Sequence, residues 1–387
     1  MRVLFLTDSL SDLDGVGRYA MRLIAELERQ EPGLGVDVLL ARKHRPTSGQ
    51  VPAHWRVRVG LPPDYFYYMS PLRFRVWLLL GTLRTWLAAR RADVVHAIKD
   101  YPHNLVGLLG ARLAGRPCVA TAHGTYTIQP VLEARHAARA RATYAGFARM
   151  ISVSRYTRRR LLEVIGAREL DPQRIEVLPN AVRAEHYEAP REIGPRPWHG
   201  VRFTLGIGET KERKGHHLAL EAWCQVAALH PDLHHFIVGK RSGDAYEARL
   251  AEIVRAAGVG ERVHFLGNVE EDEKVDLLQR AQVFVHTPVT SADGGFEGFG
   301  IVYLEASAAG TACLGTRDCG AEDAIVDGTT GRLVEPEVRA VAAALAEMLA
   351  DDADRERMGR AGREHARACS WAANARRVLE IYREVSA

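Results

Sequence analysis

The 387-residue chain is short of cysteine. Cys118, Cys224, Cys313, Cys319 and Cys369 are odd in number and scattered, with none of the close pairs of a metal site. This excludes a disulfide framework and a zinc fold, and points to a reducing, cytoplasmic compartment. Long apolar runs are missing as well, since no stretch reaches the roughly 18 residues that span a bilayer. The apolar opening Arg2-Val3-Leu4-Phe5-Leu6-Thr7 is too short for a secretory leader and reads as a first strand. Neither short-period repeats nor low-complexity tracts occur. What remains is an ordinary globular composition, 47% hydrophobic and 26% charged. The length suits two domains, each able to bury its own core.

Charge is unevenly spread. Residues 1–200 carry 30 Lys and Arg against 18 Asp and Glu, whereas residues 201–387 carry 22 against 30. The first half is therefore expected to face something anionic.

Short β-like runs alternate with amphipathic helical stretches, the pattern of a parallel α/β architecture. In the first half strands are predicted at Val3–Thr7, Val36–Ala41, Val94–Ile98, Cys118–Ala122, Met150–Val153 and Ile175–Leu178. Helices fall at Val16–Gln30, Leu72–Arg90, Leu105–Ala114, Val131–Phe147 and Tyr156–Ile165. The second half restarts with strands at Phe203–Ile207, His234–Val238, Val263–Leu266, Val283–His286 and Ala312–Gly315. Between the halves, Glu188-Ala189-Pro190-Arg191-Glu192-Ile193-Gly194-Pro195-Arg196-Pro197 reads as a linker. The expected fold is two Rossmann-like domains facing a central cleft, with ligands beyond the carboxyl ends of the strands.

One stretch stands out: Phe296-Glu297-Gly298-Phe299-Gly300-Ile301-Val302-Tyr303-Leu304-Glu305-Ala306. Glu297 lies in a glycine-rich loop, and Glu305 falls in a helix predicted to start near Phe299. The start of such a helix offers free N–H groups and a positive dipole end, a seat for phosphate. Carboxylates on either side of that seat are natural acceptors for paired sugar hydroxyls. The layout suggests a nucleotide-sugar site.

The stretch resembles the E-x7-E signature of retaining GT-B glycosyltransferases, in particular glycosyltransferase family 4. The likeness continues through Ala306-Ser307-Ala308-Ala309-Gly310 and Gly328-Thr329-Thr330-Gly331-Arg332-Leu333-Val334. It implies an acceptor domain over 1–187, a linker over 188–200, a donor domain over 201–370, and a last helix, 371–387, packing back on the first domain. The Ser370-Trp371 pair resembles the family's usual entry to that helix.

The resemblance also assigns loops. Gly208-Glu209-Thr210-Lys211-Glu212-Arg213-Lys214-Gly215 resembles the family's basic loop, in which Lys214 matches the lysine that contacts the diphosphate. Glu209 departs from the arginine common there, and either Arg213 or Lys211 is left to supply the missing charge. His123, with Gly124 at the end of a predicted strand, resembles the histidine near the transferred sugar. Gly15 and Gly17 resemble the N-terminal glycine loop of the family. Asp12-Leu13-Asp14 has the form of a metal-binding Asp-x-Asp but reads as loop solvation and capping. No cofactor and no metal are expected. Gly320-Ala321-Glu322-Asp323 departs from the family's usual Gly-Gly-x-x-Glu.

The implied activity is transfer of a hexose, with retention, from a nucleoside diphosphate sugar to a hydroxyl of a glycan or lipid-linked acceptor. Lys214 and Arg213, with the amides of Gly298, Phe299 and Gly300, would stabilise the leaving diphosphate. Glu305 would hold the ribose, Glu297 and His123 the donor sugar. Arginines mixed with aromatic and aliphatic residues, as in Arg73-Phe74-Arg75-Val76-Trp77-Leu78-Leu79-Leu80, could seat a helix on an anionic membrane, the inner face of the cytoplasmic membrane being the natural place. Equally, Trp77, Leu79 and Leu80 could be core. No nucleic-acid recognition motif accompanies the arginines. A nucleotide-sugar epimerase on the same scaffold and a non-catalytic nucleotide-sugar binding protein remain the alternatives.

Overall fold

The computed structural model describes residues 1–11, 15–41 and 51–387. The chain divides into two compact units, Met1–Leu178 with Trp371–Ala387, and Pro179–Ser370.

In the first unit the strands are β1 (Arg2–Thr7), β2 (Gly35–Leu40), β3 (Arg56–Val59), β4 (Val94–Ala97), β5 (Cys118–Ala122), β6 (Arg149–Ser152) and β7 (Ile175–Val177). Among the described residues they pair in the order β3-β2-β1-β4-β5-β6-β7, every pair parallel. The helices are α1 (Gly15–Gln30), α2 (Pro71–Ala89), α3 (His103–Leu113), α4 (Thr125–Leu132), α5 (Ala137–Tyr144), α6 (Arg155–Ile165) and, from the far end of the chain, α15 (Trp371–Ser386). Central strands are apolar throughout because a parallel sheet is covered on both faces: Val3, Leu4, Phe5 and Leu6 are all buried. Helix α1 turns Tyr19, Ala20, Leu23, Ile24 and Leu27 inward at helical spacing. Helix α15 completes this core. Its fully buried Tyr382 hydroxyl lies 2.6 Å from His96 Nδ1, and His96 Nε2 lies 2.8 Å from Thr121 Oγ1.

Two differences from the expected elements have clear causes. The single helix expected over Val131–Phe147 is two, α4 and α5. Pro130 removes an N–H near the end of α4, and Glu133 is extended, so the helical ladder stops and restarts. Strand β3 was not expected, because Arg56-Val57-Arg58-Val59 lies at the sheet edge, largely exposed, and lacks an apolar face.

In the second unit the strands are β8 (Arg202–Ile207), β9 (Leu233–Val238), β10 (Val263–Gly267), β11 (Val283–Val285), β12 (Cys313–Thr316) and β13 (Gly331–Val334). Among the described residues their order is β10-β9-β8-β11-β12-β13, again all parallel. The helices are α7 (Ala184–Glu188), α8 (His216–Ala227), α9 (Ala245–Ala256), α10 (Glu271–Arg280), α11 (Ile301–Ala309), α12 (Ala321–Ala324), α13 (Val338–Ala350) and α14 (Asp352–Ala368). Trp223, Leu220, Leu233, Val283, Leu314 and Leu345 knit α8, the sheet and α13 into one core.

The units part at Leu178, before the stretch 188–200 that reads as a linker. That stretch is packed onto the second unit: the Trp198 indole N–H donates to Asp276 Oδ2 at 2.7 Å, and Gln279 Nε2 donates to the carbonyls of Tyr187 and Ala189 at 2.7 and 2.9 Å. Proline richness signals irregular backbone, but not whether that backbone is anchored. In both sheets the strand order turns around the first strand, β1 or β8, which places the switch-point loops after β1, β4, β8 and β11.

Candidate active site

In the second unit the sheet ends converge on a small charged cluster. After β8 the chain makes a single 3-10 turn, Glu212–Lys214, and then Gly215 at φ +69 opens α8. A Cβ there would fall 1.6 Å from the carbonyl oxygen of Thr287, so only glycine lets the basic loop lie against the segment after β11. Thr287 Oγ1 donates to the Gly215 carbonyl at 2.9 Å, and the Val289 amide donates to that of Arg213 at 3.1 Å. The loop is thereby fixed beside residues 296–300.

Glu297 is the centre of the cluster. Its carboxylate is ion-paired with Lys214, lies 3.5 Å from Arg213 and 3.7 Å from the buried His286. Burial works to raise the Glu297 pKa, but Lys214, His286 and Arg213 outweigh it and hold the carboxyl well below the ordinary range. The Glu297 carbonyl is bound by the amide of Gly320 at 2.8 Å. Gly320 therefore rests directly on the Glu297–Phe299 backbone, a role its departure from the family pattern had hidden.

Arg213 and Lys211 are separated by this geometry. Lys211 Nζ is engaged by Glu209 at 2.5 Å, whereas Arg213 faces Glu297 beside Lys214. Of the two, Arg213 is the one in the cluster.

The helix expected from Phe299 begins at Ile301, with Gly300 at φ +80 as its cap. Phe299 sends its ring into the core, so its backbone is the part near the helix start. Gly298 lies in the same loop. Glu305, one turn into α11, is buried at 2% exposure. Tyr187 of α7 donates to Glu305 Oε1 at 2.8 Å, and Lys274 Nζ of α10 lies 3.2 Å from Oε2. No motif marks Tyr187 or Lys274. A lysine inside the apolar stripe of α10, between Val275 and the acidic first turn, was the available hint.

In the first unit His123 follows β5 and stands before Gly124, whose φ of +123 turns the chain into α4. Its Nε2 donates to the Ile98 carbonyl at 3.0 Å, which fixes the ring tautomer. Tyr19 meets the ring edge-on at 4.9 Å. Burial lowers the His123 pKa, against the pull of Asp100, so the ring is neutral at pH 7. Sequence reasoning missed its neighbours at the same sheet ends. Lys99 bridges the buried Asp8 at 2.7 Å and Asp64 at 3.0 Å, and Thr127 Oγ1 donates to the buried Asp100 at 2.6 Å. Gly15 and Gly17 form the first turn of α1, and among the described residues a Cβ on Gly15 would meet nothing within 4 Å. Asp12-Leu13-Asp14 lies outside the described residues.

Elsewhere on this unit, α2 buries Phe74, Gly81, Thr82, Thr85 and Ala89 but leaves Leu72, Val76, Leu79, Leu80, Leu83 and Leu87 exposed. Leu79 and Leu80 are thus surface residues, not core. A cavity of about 690 Å³ beside the end of α2 is lined by Arg56, Arg58, Arg84, Arg90 and Arg91.

Residues 196–365 match the family model for group 1 glycosyl transferases, and residues 13–186 match that for Glycosyltransferase Family 4. The GDP-mannose-dependent alpha-(1-6)-phosphatidylinositol monomannoside mannosyltransferase of Mycolicibacterium smegmatis is 32% identical over 279 residues, 68% of this chain and 69% of that protein. The chain belongs to glycosyltransferase family 4. This family-4 chain is a nucleotide-sugar glycosyltransferase, and the epimerase and binding-protein alternatives are not favoured. It is also 29% identical over 310 residues to the phosphatidyl-myo-inositol mannosyltransferase of Mycobacterium tuberculosis, covering 79% of this chain and 77% of the relative. Its fold is GT-B: Anabaena Alr3699/HepE, solved with UDP and glucose, superposes with a TM-score of 0.78 over 98% of both chains at 19% identity.

Proposed function

We propose that this family-4 enzyme is a retaining hexosyltransferase that moves a hexose from a nucleoside diphosphate sugar to a hydroxyl of a lipid-linked acceptor in glycan assembly. The observation that carries the reading is the Lys214–Glu297 ion pair with Arg213 3.5 Å from the same carboxylate. Transfer creates a departing diphosphate and an electron-poor sugar together. Cations for the first and a carboxylate for the hydroxyls of the second must be neighbours, and this loop cluster supplies both.

In this reading Lys214 and Arg213, with the amides of Gly298, Phe299 and Gly300, take up diphosphate charge as its bond to the anomeric carbon lengthens. Glu297 accepts from hydroxyls of the donor sugar and orients it, and Glu305 accepts from the ribose hydroxyls. His123, kept neutral and held by Ile98, serves the transferred sugar. A carboxylate bound by two cations is a poor nucleophile. That supports retention through front-face attack assisted by the leaving phosphate, over a covalent glycosyl-carboxylate.

The exposed leucines of α2 and the arginines at its end support an acceptor presented on an anionic membrane. Two relatives carry names that describe action on phosphatidylinositol lipids. The test is incubation with GDP-mannose, UDP-glucose and other nucleotide sugars, with and without phosphatidylinositol vesicles, following nucleoside diphosphate release and the configuration of the glycosylated lipid. Donor-dependent transfer with retained configuration is expected. An inverted product would overturn the mechanism, and transfer confined to soluble acceptors would overturn the lipid assignment. Flotation with anionic but not neutral vesicles is expected in parallel; failure with both would defeat the membrane part.

A further inference from the structure

We infer that His286 is a positioning residue: its ring takes hold of the Glu297 carboxylate when the donor diphosphate draws Lys214 and Arg213 toward itself. The inference rests on the donor reading of that cluster above. Three side chains approach the same oxygen, Glu297 Oε2. Lys214 is ion-paired with it, Arg213 Nη1 lies 3.5 Å away and His286 Nε2 lies 3.7 Å away. The two cations are neighbours on the 3-10 turn Glu212–Lys214, and the donor reading gives both to the diphosphate. Glu297 would then be a buried carboxylate without its counter-charges, which is costly.

His286 does not share that turn. It follows β11, where its amide donates to the Leu314 carbonyl at 3.0 Å and its carbonyl accepts from the fully buried Tyr303 hydroxyl at 2.5 Å. The residue is 1% exposed, yet neither ring nitrogen has a hydrogen-bond partner among the described residues. A buried histidine left in this way forfeits stability, because each unpaired polar group keeps its desolvation cost. Burial also lowers its pKa, so at pH 7 the ring is neutral and carries one N–H. At 3.7 Å, Nε2 stands just outside hydrogen-bond reach of Glu297. A movement of about 1 Å brings it to the distance of a bond to a charged acceptor. Lys214 holds that oxygen at closer range, so the bond waits for its departure. The exchange keeps the carboxylate fixed for the sugar hydroxyls while the cations serve the leaving group.

The test compares the full chain with His286→Leu and His286→Gln. Leucine keeps apolar volume without a donor, whereas glutamine carries an N–H near the place of Nε2. Turnover of GDP-mannose and UDP-glucose with phosphatidylinositol vesicles is followed by nucleoside diphosphate release, and binding of GDP and UDP by calorimetry. His286→Leu should lower kcat about tenfold or more, the worth of one hydrogen bond to a charged group. GDP and UDP, which lack the sugar, should still bind within about twofold of the unaltered chain. Melting temperature should hold or rise, because two unsatisfied nitrogens are gone. His286→Gln should recover most of the turnover. In the full chain, nitrogen-15 NMR, which needs no acceptor, should show a His286 ring N–H entering a hydrogen bond when GDP or UDP is added. Unchanged turnover of His286→Leu, equal losses in both variants, or a ring signal indifferent to nucleotide would each overturn the role. Glu297→Gln separates the two layers. If it loses turnover while His286→Leu does not, only the positioning role fails; if it keeps turnover, the donor reading of Glu297 fails, and this inference with it.

Discussion

Lys214 and Glu297, 83 residues apart in sequence, are ion-paired at the carboxyl end of the second sheet. The cation proposed for the diphosphate is thus ion-paired with the carboxylate proposed for the sugar. Donor binding must share or replace this contact.

Replacing Lys214 by Ala should lower kcat/KM by about 10²–10³-fold, the usual effect of losing one preorganised charge-stabilising donor. The fold should survive, because Arg213 still faces Glu297. Nucleoside diphosphate release measures the first and circular dichroism the second; an unchanged rate would remove Lys214 from the reaction. The same substitution tests the electrostatics. Glu297 has a depressed pKa, so its contribution to stability is complete above about pH 4.5 and is lost as pH falls through its folded pKa. Without Lys214 the folded pKa moves back toward 4.5, so that loss should be smaller and complete at a higher pH.

Arg213 and Lys211 should behave differently although they are two residues apart. Arg213→Ala is expected to reduce kcat/KM at least about tenfold, as loss of a charge-assisted contact would. Lys211→Ala should stay within about twofold, since its ammonium is engaged by Glu209 on an exposed loop, where ion pairs are weak. Equal effects in steady-state assays would show that the loop acts only through its net charge.

Gly215→Ala and Gly258→Ala form a matched pair. Both glycines have left-handed φ values, +69 and +66, but a Cβ at Gly215 would strike the Thr287 carbonyl, whereas one at Gly258 would meet nothing within 4 Å. Gly258→Ala should cost only the left-handed penalty of about 1–2 kcal/mol. Gly215→Ala should cost more and also displace Lys214, lowering both melting temperature and donor affinity. Urea titrations of the two variants make the comparison.

Acid should destabilise the protein before carboxylates begin to titrate. Burial pushes His96, His216 and His235 down to about 3 from the ordinary 6.5, so all three fold neutral. Below pH 6.5 the unfolded chain binds protons that the folded chain refuses, so unfolding free energy falls as pH falls. The slope is about 1.4 kcal/mol per pH unit for each such histidine. His216 and His235 lie in the second unit and His96 in the first, so the second should be the more acid-sensitive. Unfolding followed between pH 6.5 and 5 should give a shallower slope for His235→Gln; an unchanged slope would show that His235 is protonated in the native state.

Most strands and both sheets were legible because parallel strands buried on two faces read as compact apolar runs. Strand β3 was not, since an exposed edge needs no such run, and the Arg-Val alternation there resembles a loop. The E-x7-E pair and the basic loop were legible through their resemblance to the patterns of a known family. Which of Arg213 and Lys211 joins Glu297 was not, because that depends on where a 3-10 turn points each side chain. Tyr187 and Lys274 were invisible for a different reason. They reach Glu305 from helices 118 and 31 positions away in sequence, and buried polar contacts of that range leave no local pattern.

The route of the chain through the two units bears on how the protein is made. The chain leaves the first unit after Leu178 and re-enters it at Trp371, while the second is one unbroken stretch. During synthesis the first unit is begun first, yet its core lacks the Tyr382–His96 contact until the last helix emerges, 286 residues after His96. The second unit has all of its strands long before that. Maturation should therefore run in reverse of translation, with the N-terminal sheet waiting, unfinished, for the C-terminal end. For dissection, the second unit is the single stretch 179–370, whereas the other unit needs its two pieces joined.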